Sequence, residues 1–231
     1  SIKSNRIQQG SNLGGIFLGG LRTPPDFDNG LHTGTFYDAE GVATLNRQSS
    51  YRNPAGSVDV SNGNPGFDNP LWTIDHNKSY SGTGRIIGNL ELNYDLTDWL
   101  VLKANMGVDS YTERRTDFVN AASAILPGGQ YTEQTIQETQ WNTNLYAIAR
   151  KRFSDIFGGG ITVGFNYNTR DFNNVGAQCI NFIVPDAPPS FNNTAPQTNT
   201  PFNAASTIKT AASFFEINAD VANQLFFNVR G

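Results

Sequence analysis

Two strand-like runs on either side of a short turn constrain the fold of this chain more than any other feature. Apolar and small residues occupy every second position of the first run, Ile86–Tyr94, and of the second run, Leu100–Val108. Charged, amide and glycine residues alternate with them, and Asp95–Asp98 turns the chain. Alternation with a period of two is a strand signal, and two such runs joined by a few residues predict a β-hairpin. One face of this hairpin carries no charge, which suits a wall between hydrocarbon and water, as in an outer-membrane barrel.

Further segments repeat this alternation after residue 110. They lie near residues 131–150, 161–170, 215–221 and 225–231. The short connections lie near 95–98, 151–157 and 221–224, and the long ones near 119–129 and 174–206. Short turns at one rim and long loops at the other are typical of bacterial outer-membrane barrels, whose long loops are extracellular.

The predicted fold class is all-β, namely an antiparallel transmembrane β-barrel segment of about six strands with long extracellular loops. Residues 80–231 hold the barrel strands, and residues 1–79, which are rich in Gly, Pro and Asn turns, form a long extracellular loop region. The smallest bacterial barrels have about eight strands, so we expect this chain to be part of a larger barrel. The competing prediction is a soluble β-sandwich, in which the apolar faces would pack on each other.

Five polar side chains of the first hairpin are predicted to face a water-filled lumen. They are Arg85, Glu91, Lys103, Asn105 and Asp109. If the strands faced the other way, these groups would meet lipid, and a Lys or Arg at the midplane of the lipid face costs about 2–4 kcal/mol. The pattern therefore favours one orientation, in which these residues set the polarity of the lumen and perform no chemistry.

Composition excludes several functional classes. The formal net charge is -4, and the chain has no basic footprint for nucleic acid. Its single cysteine, Cys179, excludes an internal disulfide and is expected to be an incidental thiol in a loop. The longest apolar runs, such as Trp99–Leu102, are far shorter than the roughly 20 residues of a membrane-spanning helix. A mean hydropathy of -0.40 is compatible with a barrel, because barrel strands alternate apolar and polar residues.

Catalytic and metal-binding patterns are scarce. The two histidines, His32 and His76, and the one cysteine cannot supply a usual zinc site. Asp26–Gly30 resembles half of a calcium loop, but Tyr37 stands where that loop needs Glu, which favours an ordinary Asx turn. The sequence contains neither G-x-S-x-G nor H-E-x-x-H. We therefore expect no enzyme activity, no metal and no cofactor.

Four residues of the loop region are candidates for contacts with a substrate or a partner protein. They are Arg22, Tyr37, Tyr51 and Trp72. Aromatic rings offer large surfaces for stacking, and Arg offers bidentate hydrogen bonds to carboxylates. Ordinary packing within the loop is the alternative for each of them.

Several segments in a consistent order resemble a known family. They are Leu21–Asp28, Asn69–Trp72, Asn77–Lys78, Arg85–Tyr94, Asp98–Leu100, Gly107–Tyr111 and Leu225–Gly231. In order and spacing they resemble the barrel of SusC/RagA-type TonB-dependent transporters of Bacteroidetes. The resemblance covers most of the chain, although no single segment is diagnostic.

Membership would imply a barrel of about 22 strands, occluded by an N-terminal plug, in the outer membrane of a Gram-negative cell. It would also imply a SusD-like surface lipoprotein as a lid, and import of oligosaccharides or peptides driven through TonB. No plug, TonB box or closing strands are found in these residues, so we expect TonB to act through a plug outside this chain. Two other functions stay open: a secreted β-rich binding module, such as an adhesin or lectin-like domain, and a passive porin.

Overall fold

A computed structural model describes residues 2–6, 15–52, 54–56, 67–185, 187–222 and 224–231. These residues form nine strands and two α-helices. The strands are β1 (Ile2–Arg6), β2 (Thr33–Tyr37), β3 (Ala43–Gln48), β4 (Ser79–Thr97), β5 (Leu100–Val119), β6 (Gln130–Arg152), β7 (Phe157–Ile180), β8 (Thr200–Val221) and β9 (Leu225–Arg230). The helices are α1 (Ile16–Arg22) and α2 (Pro70–His76), and two 3-10 turns lie at Phe191–Asn193 and Pro196–Thr198. Neither α-helix has the length and apolar character needed to cross a membrane.

Seven strands form one sheet in the order β1-β4-β5-β6-β7-β8-β9. From β4 onward, each strand therefore lies beside the next one along the chain. β8 and β9 are antiparallel, from Glu216 opposite Arg230 to Val221 opposite Leu225. β1 pairs antiparallel with the start of β4, and β2 pairs with β3 in a separate hairpin. The predicted all-β antiparallel fold is confirmed.

The short connections lie where the alternation predicts them. β4 ends at Thr97 and β5 begins at Leu100, and only residues 153–156 separate β6 from β7. In the second of these turns, the Ser154 hydroxyl accepts hydrogen bonds from the backbone N–H groups of Ile156 and Phe157, at 3.3 and 3.0 Å. The hydroxyl thus replaces the hydrogen-bond acceptors that these backbone N–H groups lack where the pairing of β6 with β7 ends.

The second long connection is shorter than predicted. β7 continues to Ile180 and β8 begins at Thr200, so the loop predicted at 174–206 spans only residues 181–199. The prediction that Cys179 lies in this loop is wrong, because it is a buried residue near the end of β7. Thr169, Asp171 and Asn173 interrupt the apolar alternation after Tyr167, but pairing with neighbouring strands satisfies the backbone there and continues the ladder.

The described residues cluster into two compact units. Unit 1 comprises the described residues of 1–83, 113–136 and 175–203, and it contains both helices and the β2–β3 hairpin. Unit 2 comprises the described residues of 84–112, 137–174 and 204–231, which are most of β4 to β8 together with β9. The predicted division into 1–79 and 80–231 follows chain order instead, and it stays a prediction.

The hydrophobic core lies in unit 1. The buried hydrophobic residues of the described chain are Phe36, Phe67, Trp72, Ala124, Ile136, Cys179 and Phe182. All of them belong to unit 1, and none of the described residues of unit 2 is a buried hydrophobic side chain. A soluble sheet buries its apolar face against another layer. The strands of unit 2 therefore lack the core that a soluble sandwich would need.

Candidate functional site

The strands of unit 2 carry an exposed apolar face, defined here as the alternate positions that include Leu90, Leu102, Val163 and Ile217. These four side chains are 54%, 39%, 49% and 45% exposed. In a soluble sandwich they would be buried against a second layer. The described residues leave them uncovered, so the apolar face is open to its surroundings.

Exposed aromatic rings lie at both ends of the apolar face. Beside the short turns they are Tyr94, Trp99, Phe153 and Phe157, and toward the long connections they are Trp141 and Tyr167, with Phe165 and Phe215 also exposed between them. β7 becomes polar after Tyr167, where Asp171 accepts a hydrogen bond from the Thr207 hydroxyl at 2.7 Å. Bands of aromatic side chains at the limits of an apolar zone are typical of membrane barrels.

The opposite alternate positions form a polar face. The predicted lumen residues on it are Arg85, Glu91, Lys103, Asn105 and Asp109. Arg85 and Asp109 pair across β4 and β5, where Nε donates to Oδ1 at 2.7 Å and Nη2 donates to Oδ2. Glu91 accepts a hydrogen bond from the amide of Asn93 at 3.0 Å. That this face lines a lumen stays a prediction.

Glu138 of β6 is the centre of a second group on the polar face. The Arg170 guanidinium binds it with two hydrogen bonds, from Nε at 2.7 Å and from Nη2 at 2.9 Å. The Tyr111 hydroxyl donates to the same carboxylate at 3.2 Å. None of these three residues is among the candidates predicted from the sequence. Their alternate positions in β5, β6 and β7 are the signal that would have identified them.

Two more carboxylates of the polar face are paired near the short turns. Asp220 lies 3.4 Å from the Arg152 guanidinium. Glu216 lies 3.4 Å from the Arg230 guanidinium and accepts a hydrogen bond from the Asn228 amide at 2.7 Å. Exposed ion pairs add little to stability. These groups instead make the face hydrophilic, because their charges and amides can form hydrogen bonds with water and with polar solutes.

In unit 1, two of the predicted contact residues meet around Phe67. The guanidinium of Arg22 lies 5.1 Å from the centre of the Phe67 ring, and Tyr51 stacks on the same ring at 6.1 Å. Arg52, which the sequence analysis did not single out, lies 4.5 Å from that ring and donates from Nε to the Tyr51 hydroxyl at 2.9 Å. Cation–π contacts of this kind place exposed positive charge on a rigid aromatic support.

The other two predicted contact residues lie apart from this group. The Trp72 ring is fully buried and stacks on His76, with the ring centres 4.8 Å apart. A fully buried ring has no surface for a partner, so the structure assigns Trp72 to the core of unit 1. Tyr37 lies at the end of β2 and is 42% exposed, which leaves its ring accessible.

Asp68 is a buried carboxylate that joins two segments of unit 1. It accepts a hydrogen bond from the Ser123 hydroxyl at 2.6 Å and another from the Ala124 N–H at 2.8 Å. Burial raises the pKa of Asp68 from 3.8 to about 6, although both hydrogen bonds act in the opposite direction. The sequence offers no signal for this role, because Ser123 lies far along the chain. The contact holds the loop after β5 against the start of α2.

The candidate calcium loop forms a turn. The Gly30 N–H donates to Asp28 Oδ1 at 2.8 Å, which is the Asx turn expected as the alternative. Within the part of the chain that the structure describes, no three His, Cys, Asp or Glu side chains come together as a metal site would require.

Solved structures show a fold relationship. The chain is similar to the RagAB peptide importer in its "closed-closed" state, with 14% identity and a TM-score of 0.59 over 72% of this chain and 19% of that one. The RagAB peptide transporter matches with 14% identity and a TM-score of 0.59 over 77% of this chain and 20% of that one. The "open-open" importer matches with 15% identity and a TM-score of 0.55 over 73% and 19%.

This chain spans about a fifth of the length of the chains that it matches. No protein-family model and no curated protein matches it. Identity this low shows a shared fold alone. The similarity therefore supports the fold that is implied by the resemblance of the sequence segments to SusC/RagA-type transporters.

Proposed function

We propose that this chain is part of an outer-membrane TonB-dependent transporter that imports nutrients such as oligosaccharides or peptides. The observation that carries the proposal is the combination found in unit 2. Its strands have no buried hydrophobic core among the described residues, yet they expose an apolar face bounded by aromatic rings. Acyl chains of a bilayer cover such a face without any second protein layer.

The polar face then lines the lumen. Arg85, Glu91, Lys103, Asn105 and Asp109 present charges and amides to water, and the group around Glu138 continues this surface. A hydrated wall of this kind lets a polar solute exchange hydrogen bonds with water for hydrogen bonds with protein at little cost. The wall guides the solute and needs no catalytic group.

The loops of unit 1 face the exterior and meet the substrate or a SusD-like surface lipoprotein. The proposed contact residues are Arg22, Tyr51 and Tyr37, and Arg52 joins them because its guanidinium lies over the same Phe67 ring as that of Arg22. The similar structures are described as peptide importers. A guanidinium on an aromatic support suits the carboxylates of a peptide, because Arg binds carboxylates with two parallel hydrogen bonds.

Cysteine labelling of the whole protein that contains this chain tests the membrane assignment. In outer membranes, Leu102→Cys should react with a lipid-soluble maleimide and resist a membrane-impermeant one, because its side chain lies on the apolar face. The matched variant Asn105→Cys should react with the impermeant reagent, and both should be made in a Cys179→Ala background. If Leu102→Cys reacts with the impermeant reagent as readily as Asn105→Cys, the apolar face meets water and not lipid, and the proposal fails.

Energy dependence separates an active transporter from a passive porin. Uptake of an oligopeptide or oligosaccharide mixture by cells that produce the whole protein should stop when TonB is deleted or when a protonophore collapses the proton gradient. Uptake that continues unchanged would identify a porin. A surface lipoprotein should co-purify with the protein, and the charge-removing pair Arg22→Gln and Arg52→Gln should weaken either this association or substrate uptake.

A further inference from the structure

A groove of about 500 Å³ lies in the apolar face of unit 2, beside the turn between β6 and β7. Its floor is made of small residues, namely Ala149, Gly159 and Ala219. Its walls are the larger apolar side chains Trp99, Phe153, Phe157, Ile161 and Ile217, and Arg150 and Asn218, which occupy positions of the polar face, also line it. The groove is therefore an apolar channel on the surface that we propose to face lipid.

Gly159 helps to form the groove because it carries no side chain. A Cβ atom at this position would meet only ordinary contacts, the Phe153 ring at 3.6 Å and the Asn218 carbonyl oxygen at 3.4 Å. A larger residue would therefore fit the backbone and fill the space. The rings of Phe153 and Phe157 stack at 5.7 Å and form one side of the channel.

Lys151 lines this channel between Ala149 and Phe153. It belongs to the same alternate positions as Ala149 and Phe153, and its ammonium lies 6.0 Å from the centre of the Trp99 ring. Lys151 is exposed, and no carboxylate of the described residues forms an ion pair with it. A cation beside aromatic rings at the edge of an apolar zone is placed where a bilayer has its phosphate groups.

We propose that this groove binds one phospholipid of the leaflet next to the short turns, with an acyl chain along the groove and the phosphate on Lys151. This inference rests on the proposed function. Charge complementarity selects the occupant: an apolar channel lined by an ammonium that has no carboxylate partner among the described residues matches a molecule that joins an acyl chain to an anion. If a protein segment covered the groove instead, that segment would need a carboxylate at the position of the phosphate, to pair with Lys151.

A second groove on the apolar face provides an internal comparison. It measures about 490 Å³ and is lined by Leu92, Leu102, Leu145 and Val163, among others. Its one cation, Lys103, occupies a position of the polar face. We therefore expect acyl chains to pass over this second groove without a fixed headgroup.

Native mass spectrometry of the whole protein tests the proposal. The protein is released from detergent micelles that contain palmitoyl-oleoyl phosphatidylglycerol or, in a parallel sample, the matching diacylglycerol, which lacks the phosphate. We expect one phosphatidylglycerol to survive activation, and we expect Lys151→Gln to lower its retention about tenfold, the effect of losing one charge-assisted hydrogen bond. Gly159→Leu should lower retention equally by filling the groove, while Lys103→Gln should leave it unchanged.

The lipid site would be overturned by equal retention in wild type and Lys151→Gln, by an equal loss in Lys103→Gln, or by diacylglycerol held as well as phosphatidylglycerol. The gel mobility of each variant is compared with and without heating, because a change on heating reports a folded barrel. A protein that shows folded-barrel mobility but holds no specific lipid refutes the site and leaves the proposed function standing. A protein that stays soluble and monodisperse without detergent refutes the proposed function itself.

Discussion

The Arg85 guanidinium and the Asp109 carboxylate face each other across β4 and β5, joined by a 2.7 Å hydrogen bond from Nε to Oδ1 and by a second contact from Nη2 to Oδ2. Both side chains lie on the face opposite to the exposed leucines. The pair therefore shows in one contact that the two faces of the hairpin differ in chemistry, one charged and the other apolar.

We expect Asp109→Asn to change stability only slightly, because the pair is exposed to water and screened by salt. The unfolding free energy of the whole protein in lipid vesicles should fall a little at low salt and not at high salt. The double variant Arg85→Asp with Asp109→Arg should restore the low-salt value. A large loss that salt does not reduce would show that the pair is shielded from water, which contradicts a hydrated lumen.

A charge on the apolar face should cost much more than a charge on the polar face. Leu102→Lys is expected to lower the unfolding free energy in vesicles by about 2–4 kcal/mol, the cost of Lys near the bilayer midplane. Asn105→Lys is the matched control in the same strand, and its effect should be within about 0.5 kcal/mol. Denaturant titration in vesicles measures both. Equal effects would contradict the assignment of the faces.

Asp68 should make unit 1 more stable in acid. Its pKa is about 6 in the folded protein and 3.8 as a model group, so the folded state binds the proton more tightly. The unfolding free energy should therefore fall by about 3 kcal/mol as the pH rises from about 4 to about 6, and stay level above that. Hydrogen exchange at the Ala124 amide, corrected for intrinsic rates, follows this change. Asp68→Asn should abolish it, and an unchanged profile would contradict the assignment to Asp68.

Trp72 should contribute to stability and not to binding. Trp72→Ala is expected to cost about 3–5 kcal/mol, because it empties a buried site. Trp72→Phe should cost less, since the indole Nε1 has no hydrogen-bond partner among the described residues. Chemical denaturation compares the variants, and uptake by Trp72→Phe should match wild type. Normal stability with lost uptake would restore the predicted contact role.

The faces of the strands could be predicted from the sequence, but the strand ends could not. Alternation placed Leu90, Leu102, Val163 and Ile217 on one face because period-two patterning reports directly which side chains share an environment. Before the end of β7 near Cys179, this alternation is interrupted by Thr169, Asp171 and Asn173, and pairing with neighbouring strands keeps the segment extended. Local pattern carries no information about such partners.

The candidate site could be predicted only in part, because alternation reveals which side chains of a hairpin share a face and not which distant segments come into contact. Arg85 and Asp109 follow from alternation within one hairpin, whereas the link between Asp68 and Ser123 joins residues that are distant in sequence. Composition could suggest that Trp72 prefers an interface, but whether a ring is buried depends on residues that fold against it. Its burial beside His76 was therefore not visible in the sequence.

The consecutive pairing of β4 to β9 has a consequence for assembly. Short turns close the hairpins β4–β5, β6–β7 and β8–β9 with a small loss of chain entropy, whereas joining one hairpin to the next must close the connections at 120–129 and 181–199. The sheet should therefore grow two strands at a time. Each completed hairpin leaves an open edge that serves as the template for the one synthesised after it.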